Sequence, residues 1–255
     1  MFDSHAHLQD PQIKKNLDNV LKRARDAGVE RITCIGYDLP SSEEALLIAR
    51  KYKHVYATVG IHPHDAKTYT PETEDRLKAL AKDPKVVAIG EIGLDYYRDL
   101  SPREKQKESF IAQILLAQEI GKPIVIHDRD ANQDVMDIIR KYKAGKNGGI
   151  MHCYSGSLPL ALEAVKNGFY ISFAGPLTYK NARRSHEVVG KIPMDRLLVE
   201  TDCPYLTPEP LRGKLNEPAN LRYTVEKMAA LRNQHPDEIA YLTERNACKI
   251  YRIKD

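Results

Sequence analysis

Residues 121–153 read GKPIVIHDRDANQDVMDIIRKYKAGKNGGIMHC and contain the unit from which the rest of the chain is built. A short apolar run at 123–126 leads into His127, an amphipathic stretch covers 131–143, and a second apolar run at 149–151 leads into His152. Short β-branched runs that alternate with amphipathic stretches indicate parallel strands joined by crossover helices. The stretch therefore predicts a strand, a helix and a second strand, with a histidine at the end of each strand.

The same unit recurs along the chain and predicts eight strands. We place the strands at 1–3, 31–36, 55–60, 86–89, 123–126, 149–151, 170–173 and 197–200. Helices are predicted at 13–27, 41–52, 71–82, 102–120, 131–143, 158–167, 181–189, 221–232 and 237–251. A doubly wound open sheet is the alternative, but no glycine-rich nucleotide-binding motif follows any of the strands. We therefore predict an α/β fold, a (β/α)8 TIM-type barrel, in which residues 1–255 form one domain.

Length and composition agree with this prediction and exclude other classes. A chain of 255 residues has the usual size of such a barrel, and 42% hydrophobic with 29% charged residues excludes disordered, collagen-like and membrane proteins. The net charge of +4 permits an anionic substrate without indicating one. The four cysteines form no C-x-x-C pair, which fits a reducing compartment. The opening residues lack the pattern of a signal peptide, so we expect a cytoplasmic protein with no membrane partner.

Ionisable side chains are concentrated at the predicted carboxyl ends of the strands. They are His5, His7, Glu91, His127, His152 and Asp202. All strand ends of this kind open on one face of a parallel barrel, so these side chains should converge. His5 and His7 are two residues apart in an extended segment, so both rings can reach one ion. Four imidazoles and two carboxylates buried together require a compensating cation, and the set therefore predicts a metal centre.

The number of ligands suits two divalent ions, which could be Mg²⁺, Mn²⁺ or Zn²⁺. We assign His5, His7 and Asp202 to the first ion, His127 and His152 to the second, and Glu91 to both. By formal charge such a centre remains net positive and attracts anions. The ions would turn a bridging water into a hydroxide nucleophile, and Asp202 is placed to take its proton and pass it to the leaving group. The predicted chemistry is hydrolysis.

Further polar residues are candidates for substrate contacts. His62 and His64 follow the third predicted strand, where an imidazole could donate to a phosphate oxygen; their alternative role is in an N-terminal turn stabilised by Pro63. We expect a catalytic role for His62 beside Asp202 and Glu91. Phosphates could also be held by Arg129, Arg212 and Lys214, whose alternative role is ion pairing with nearby carboxylates. Asp95, Tyr96 and Tyr97 could line the cleft, where a tyrosine ring offers a face to a base.

Seven motifs distributed over the whole chain resemble those of the TatD-type metal-dependent deoxyribonucleases of the amidohydrolase superfamily. They are FDSHAHL at 2–8, GIHPH at 60–64, GEIGLDY at 90–96, IHDRD at 126–130, MHCYSG at 151–156, VETDCPYL at 199–206 and RGKLNEP at 212–218. The resemblance implies a (β/α)8 barrel, a two-metal centre and the ligand set given above. It also implies metal-dependent DNase or 3'-to-5' exonuclease activity on single-stranded DNA.

The leading hypothesis is thus a deoxyribonuclease that cleaves phosphodiesters with a metal-bound hydroxide. A second hypothesis is a two-metal hydrolase of a carbonyl ester or amide, such as an aminoacyl-tRNA ester. A third, a noncatalytic nucleic-acid-binding scaffold, predicts a broken ligand set. Convergence of Arg129, Arg212 and Lys214 on the mouth of the site would favour phosphate chemistry. We expect DNA as the substrate, no protein partner and a monomer.

Overall fold

The computed structural model describes residues 1–254 and contains one parallel sheet of eight strands in chain order. The strands are β1 (Phe2–Ala6), β2 (Arg31–Ile35), β3 (Val55–Val59), β4 (Val86–Asp95), β5 (Ile124–Arg129), β6 (Gly149–Met151), β7 (Phe169–Phe173) and β8 (Leu197–Val199). The two edge strands lie side by side, because the Ser4 hydroxyl donates to the Val199 carbonyl oxygen at 2.9 Å. The sheet is therefore a nearly closed barrel, and the predicted TIM-type fold is confirmed.

Helices follow the strands and surround the barrel. Within residues 1–254 they are α1 (Pro11–Lys14), α2 (Leu17–Asp26), α3 (Leu39–Lys51), α4 (Pro71–Leu80), α5 (Arg103–Glu119), α6 (Asn132–Tyr142), α7 (Leu158–Lys166), α8 (Arg183–Lys191), α9 (Leu221–Arg232) and α10 (Pro236–Tyr251). None of them is long and apolar enough to cross a membrane. The predicted helices agree with these bounds to within two residues at each end, except the first.

The single helix predicted at 13–27 is wrong, because the chain forms two helices there. Asp10 accepts a hydrogen bond from the Gln12 amide and Pro11 occupies the first turn, so α1 begins before the apolar periodicity does. Asn16, with φ −138° and ψ 32°, then leaves the helical conformation between α1 and α2. A cap and a proline thus define a short extra turn that periodicity alone does not reveal.

One end of the barrel is closed by the last helix. A cluster of buried side chains from the amino ends of the strands packs on the carboxyl-terminal part of α10, and it includes Phe2, Val87 and Tyr251. The Tyr251 hydroxyl donates to the Ser4 carbonyl oxygen at 2.8 Å inside this cluster. Burial of this aromatic and aliphatic surface stabilises the barrel and closes its lower end. A site inside the barrel therefore opens only at the carboxyl ends of the strands.

Two strands carry a bulge at residues that matter for the site. Asp3 pairs with Ile32 and Ala6 with Cys34, so β1 has one residue more than β2 between these pairs. The same extra residue occurs in β4, where Ile89 pairs with Ile124 and Ile92 with Ile126. A bulge reorients a side chain without ending the strand.

The predicted ends of three strands are therefore wrong. His5 lies within β1 and Glu91 within β4, because each strand continues through its bulge. His127 lies within β5, which continues to Arg129 in register with the extended β4. The polar side chains belong to the last part of these strands rather than to the loops after them.

The start of α3 offers a test of the local stability of the fold. The Asp38 carboxylate accepts from the Ser41 amide at 2.7 Å, and the Ser41 hydroxyl accepts from the Asp38 amide at 2.9 Å. Replacing Asp38→Ala removes one side of this capping box, so we expect the free energy of unfolding in urea to fall by about 1 kcal/mol. Asp75→Ala, in the exposed middle of α4, is the control and should change it by less than about 0.5 kcal/mol. Equal effects of the two substitutions would contradict the capping role.

Candidate metal centre

The six predicted ligands meet at the open end of the barrel. His5, Glu91 and His127 project from β1, β4 and β5, while His7, His152 and Asp202 stand in the segments that follow β1, β6 and β8. All are buried except His127, which is partly exposed. The backbone holds β1 and the segment after β8 together, because the Asp202 amide donates to the His5 carbonyl oxygen at 2.9 Å.

Glu91 lies at the centre of the cluster, and its two carboxylate oxygens face different histidines. The Oε1 atom is 2.9 Å from Nδ1 of His127 and 2.9 Å from Nε2 of His152. The Oε2 atom is 3.5 Å from Nε2 of His5 and 4.0 Å from Nε2 of His7. The carboxylate therefore stands between two pairs of histidines, in the position that a bridging ligand would need.

Asp202 completes the group on the Oε2 side of Glu91. Its Oδ1 atom is 3.5 Å from Nε2 of His5 and 3.3 Å from Nε2 of His7. His5 is fully enclosed, yet within residues 1–254 neither of its ring nitrogens has a hydrogen-bond partner. Buried polar atoms are nearly always paired, so this ring lacks a partner that a metal ion would supply. The donor set of His5, His7 and Asp202 fits a divalent cation.

The surroundings of the two carboxylates of the cluster favour their anionic form, which metal binding would require. Burial alone would raise the pKa of Glu91, but the positive charge of the His152 ring and hydrogen bonds with His127 and His152 hold that pKa well below its usual range. Burial likewise opposes the charge of Asp202, and its contacts with His7 and His5 lower its pKa. The site thus places anionic oxygens among nitrogen donors in a region of low solvent access.

Two carboxylates that the sequence analysis did not assign to the centre contact the outer ring nitrogens of two predicted ligands. Oδ2 of Asp95 is 3.1 Å from Nε2 of His127, and Oε1 of Glu200 is 3.1 Å from Nδ1 of His152. Carboxylates in this position fix the tautomer of a ligating histidine and raise its basicity. Both lie at the ends of β4 and β8, and their position beside the predicted ligands was the signal that could have identified them.

His62 lies inside the cluster rather than at its mouth. Its Nδ1 accepts from the His64 amide at 3.1 Å, so the ring proton resides on Nε2, which is 3.5 Å from Oε1 of Glu91. Burial, aided by the neighbouring His127, lowers the pKa of His62 well below its usual value, so the ring is neutral. His64 is more exposed, and its Nε2 lies 2.8 Å from Oδ2 of Asp95.

The predicted phosphate-binding cations occupy different surroundings. Arg129 ends β5, two residues beyond His127, and its guanidinium carbon lies 4.1 Å from the centre of the Tyr97 ring. The Arg212 guanidinium stacks on the Tyr179 ring at 4.5 Å, and Lys214 lies on the same exposed loop. Within residues 1–254, no contact of the Arg212 or Lys214 side chain reaches the six predicted ligands. The Arg129 side chain likewise makes no hydrogen bond or ion pair with the six predicted ligands within residues 1–254, so the phosphate-binding roles of all three cations stay predictions.

Comparisons with known proteins agree with this geometry. The family model described as TatD related DNase matches residues 2–252. The chain is 48% identical over 253 residues to the "uncharacterized metal-dependent hydrolase YabD" of Bacillus subtilis, and the match covers 99% of both chains. It is 37% identical over 258 residues to the "3'-5' ssDNA/RNA exonuclease TatD" of Salmonella typhimurium, with 99% of both covered.

A solved structure has the same architecture over the full length. The crystal structure of YJJV, a TatD homolog from Escherichia coli, superposes with a TM-score of 0.94 and 29% sequence identity. The match covers 100% of this chain and 98% of that one. The whole-length matches in sequence and structure, together with the cluster of histidines and carboxylates, show that the chain belongs to the TatD related DNase family and is a metal-dependent hydrolase of that family.

Proposed function

We propose that this protein is a deoxyribonuclease that shortens single-stranded DNA in the 3'-to-5' direction at a centre of two divalent ions. The observation that carries the proposal is the position of Glu91, whose two oxygens face two separate pairs of histidines. A relative of 37% identity bears the name of a 3'-5' ssDNA/RNA exonuclease, which supports a nucleic acid as the substrate. We further propose that the protein acts as a cytoplasmic monomer and needs no protein partner.

Each ion has its own set of residues in this proposal. His5, His7 and Asp202 would hold the first ion, His127 and His152 the second, and Glu91 both. Nitrogen-rich ligand sets favour Zn²⁺ or Mn²⁺, while Mg²⁺ prefers oxygen. When bound, such ions acidify water and neutralise the charge of a phosphodiester.

The residues of the chain would then orient the substrate and move a proton. Asp202 is anionic and fixed by its backbone, so its carboxylate can accept a proton and return it to the leaving oxygen. The neutral ring of His62 carries its proton on Nε2, and this N–H group can donate a hydrogen bond to a phosphate oxygen. Arg129 can contact a neighbouring phosphate through two parallel N–H groups.

The role of Asp202 can be tested with end-labelled single-stranded DNA and protein reloaded with Mg²⁺ or Mn²⁺. The wild type should shorten the strand stepwise. Asp202→Asn removes the proton acceptor and an anionic ligand, so kcat should fall about 10²- to 10⁴-fold. Asp195→Asn, at an exposed position before β8, is the control and should retain the wild-type rate.

One result of the same assay would contradict the proposal. If the wild type binds ions, leaves DNA intact and hydrolyses an aminoacyl ester, the deoxyribonuclease proposal is wrong and the carbonyl-ester hydrolase takes its place.

The number of ions can be counted after equilibrium dialysis by elemental analysis. We expect two divalent ions per chain for the wild type, one after His7→Ala, and a loss of affinity at both positions after Glu91→Ala, because Glu91 faces both histidine pairs. His235→Asn, a helix cap remote from the cluster, should leave the count unchanged. Retention of both ions at wild-type affinity by Glu91→Ala would rule out the bridge.

The carboxylate behind His127 should affect metal affinity without being a ligand. Asp95→Asn keeps the size of the side chain and the oxygen that accepts from the Tyr97 and Arg98 amides, but it removes the anion beside His127. We expect one of the two ions to bind about 10- to 100-fold more weakly in a competition titration with a chelator dye. Asp99→Asn, at an exposed position near α5, provides the control. An unchanged affinity for both ions would show that Asp95 only supports the backbone.

A further inference from the structure

We propose that two exposed tyrosines, Tyr97 and Tyr205, are stacking sites for two bases of one DNA strand that crosses the mouth of the barrel. The proposal rests on the proposed function, since it requires a single-stranded nucleic acid at the metal centre. It adds to that function a binding site for the bases on either side of the cleaved phosphate.

The two rings lie on different sides of the centre. Tyr97 follows β4 by two residues, and Tyr205 lies in the segment that follows β8. The Tyr205 ring lies beside His7, which follows β1, so the two rings stand next to strands that are three positions apart in a barrel of eight. Glu91 lies between them, since its two oxygens face His127 and His7, so a DNA strand that reaches from one tyrosine to the other passes the cluster around Glu91.

Tyr97 is held in place by the residue that contacts the ligand His127. Oδ1 of Asp95 accepts from the Tyr97 amide at 3.0 Å, while Oδ2 of the same carboxylate is 3.1 Å from Nε2 of His127. The ring is 61% exposed, and the Arg129 guanidinium carbon lies 4.1 Å from its centre. The cation orders the ring and supplies positive charge for an adjacent phosphate.

Tyr205 has an equivalent anchor on the other side. Its amide donates to the Asp202 carbonyl oxygen at 3.0 Å, and its hydroxyl contacts Oδ2 of Asp10 at 3.2 Å. The ring is 52% exposed and its centre lies 6.0 Å from that of the His7 ring. An aromatic surface is thus fixed beside the first proposed ligand group and left open to solvent.

Stacking on exposed tyrosines suits a nucleic acid that is bound without regard to its base sequence. Of the 14 tyrosines in the chain, only Tyr97, Tyr205 and Tyr241 fall in the exposed class within residues 1–254. Two of these three flank the mouth. Every base has a flat aromatic face, so stacking on tyrosine holds any base, whereas hydrogen bonds to base edges would select one. An enzyme that removes successive nucleotides needs contacts of the first kind.

The test compares a single-stranded oligodeoxynucleotide with a base-free diester, an oligomer of the same length made of abasic tetrahydrofuran residues, which keeps the phosphates and carries no aromatic ring. For Tyr97→Ala and Tyr205→Ala, we expect the ratio of kcat/KM for DNA to that for the base-free diester to fall about tenfold each, the usual effect of losing one stacked base. Tyr97→Phe and Tyr205→Phe keep the ring and should keep the ratio within about twofold of the wild type.

Tyr241 provides the matched control. It is 64% exposed and lies under the Arg245 guanidinium at 5.7 Å, but it lines a groove with Arg31 at the amino end of β2, on the closed side of the barrel. Tyr241→Ala should keep the wild-type ratio. Base stacking can also be measured directly with an oligonucleotide that contains the fluorescent base 2-aminopurine. Binding to the Asp202→Asn variant should quench this fluorescence by stacking, and a second substitution, Tyr97→Ala or Tyr205→Ala, should restore it.

Each result decides between defined outcomes. Suppose that the wild type cleaves DNA and that the alanine substitutions lower kcat/KM equally for both substrates, or for neither. The stacking sites are then refuted and the proposed function stands. If the wild type hydrolyses the base-free diester but neither cleaves nor binds DNA, the proposed function and the stacking sites both fail.

Discussion

The arrangement of the open end of the barrel depends on one buried anion, the carboxylate of Glu91. An isolated carboxylate in this position would cost several kcal/mol in lost hydration, so it must be matched by positive charge or strong donors on all sides. Histidines from the segments around β1, β3, β5 and β6 supply these partners. Because each of them comes from a different strand, the barrel must be nearly closed before the anion is satisfied. The fold and the proposed ligand set are thus consequences of the same constraint.

The backbone allows this convergence because β4 and β5 approach each other closely at two glycines. A Cβ atom on Gly93 would lie 2.0 Å from the His127 carbonyl oxygen, and one on Gly90 would lie 2.7 Å from Cβ of Val125. Both glycines also have positive φ angles, 142° and 155°, which side chains rarely permit. The close approach brings the Glu91 side chain within hydrogen-bond distance of His127. The motif around Glu91 is therefore as much a packing requirement as a chemical one.

Much of this could be predicted from the sequence, because strand periodicity shows which side chains stand at the carboxyl ends of strands, and a barrel brings those ends together. The ligand candidates followed from that rule alone. The bulges at His5 and Glu91 could not be predicted, since they depend on the register with a neighbouring strand. The roles of Asp95 and Glu200 were missed for a similar reason, because the partner of a carboxylate is decided by tertiary packing. Spacing also cannot show that the Arg212 guanidinium stacks on the Tyr179 ring.

The two missed carboxylates change the electrostatic interpretation of the site. With Glu91 and Asp202 alone, two divalent ions would leave a net positive centre that attracts DNA by itself. Asp95 and Glu200 contact His127 and His152, so the four carboxylates would balance the formal charge of the two divalent ions that we propose. Under the proposed function, the attraction of a polyanion would then come from groups outside the ligand set, such as Arg129, which ends β5 two residues beyond His127. Under the proposed function, a balanced centre would hold a DNA strand through its neighbouring phosphates and bases, and it would release the shortened product without breaking a strong attraction to the ions.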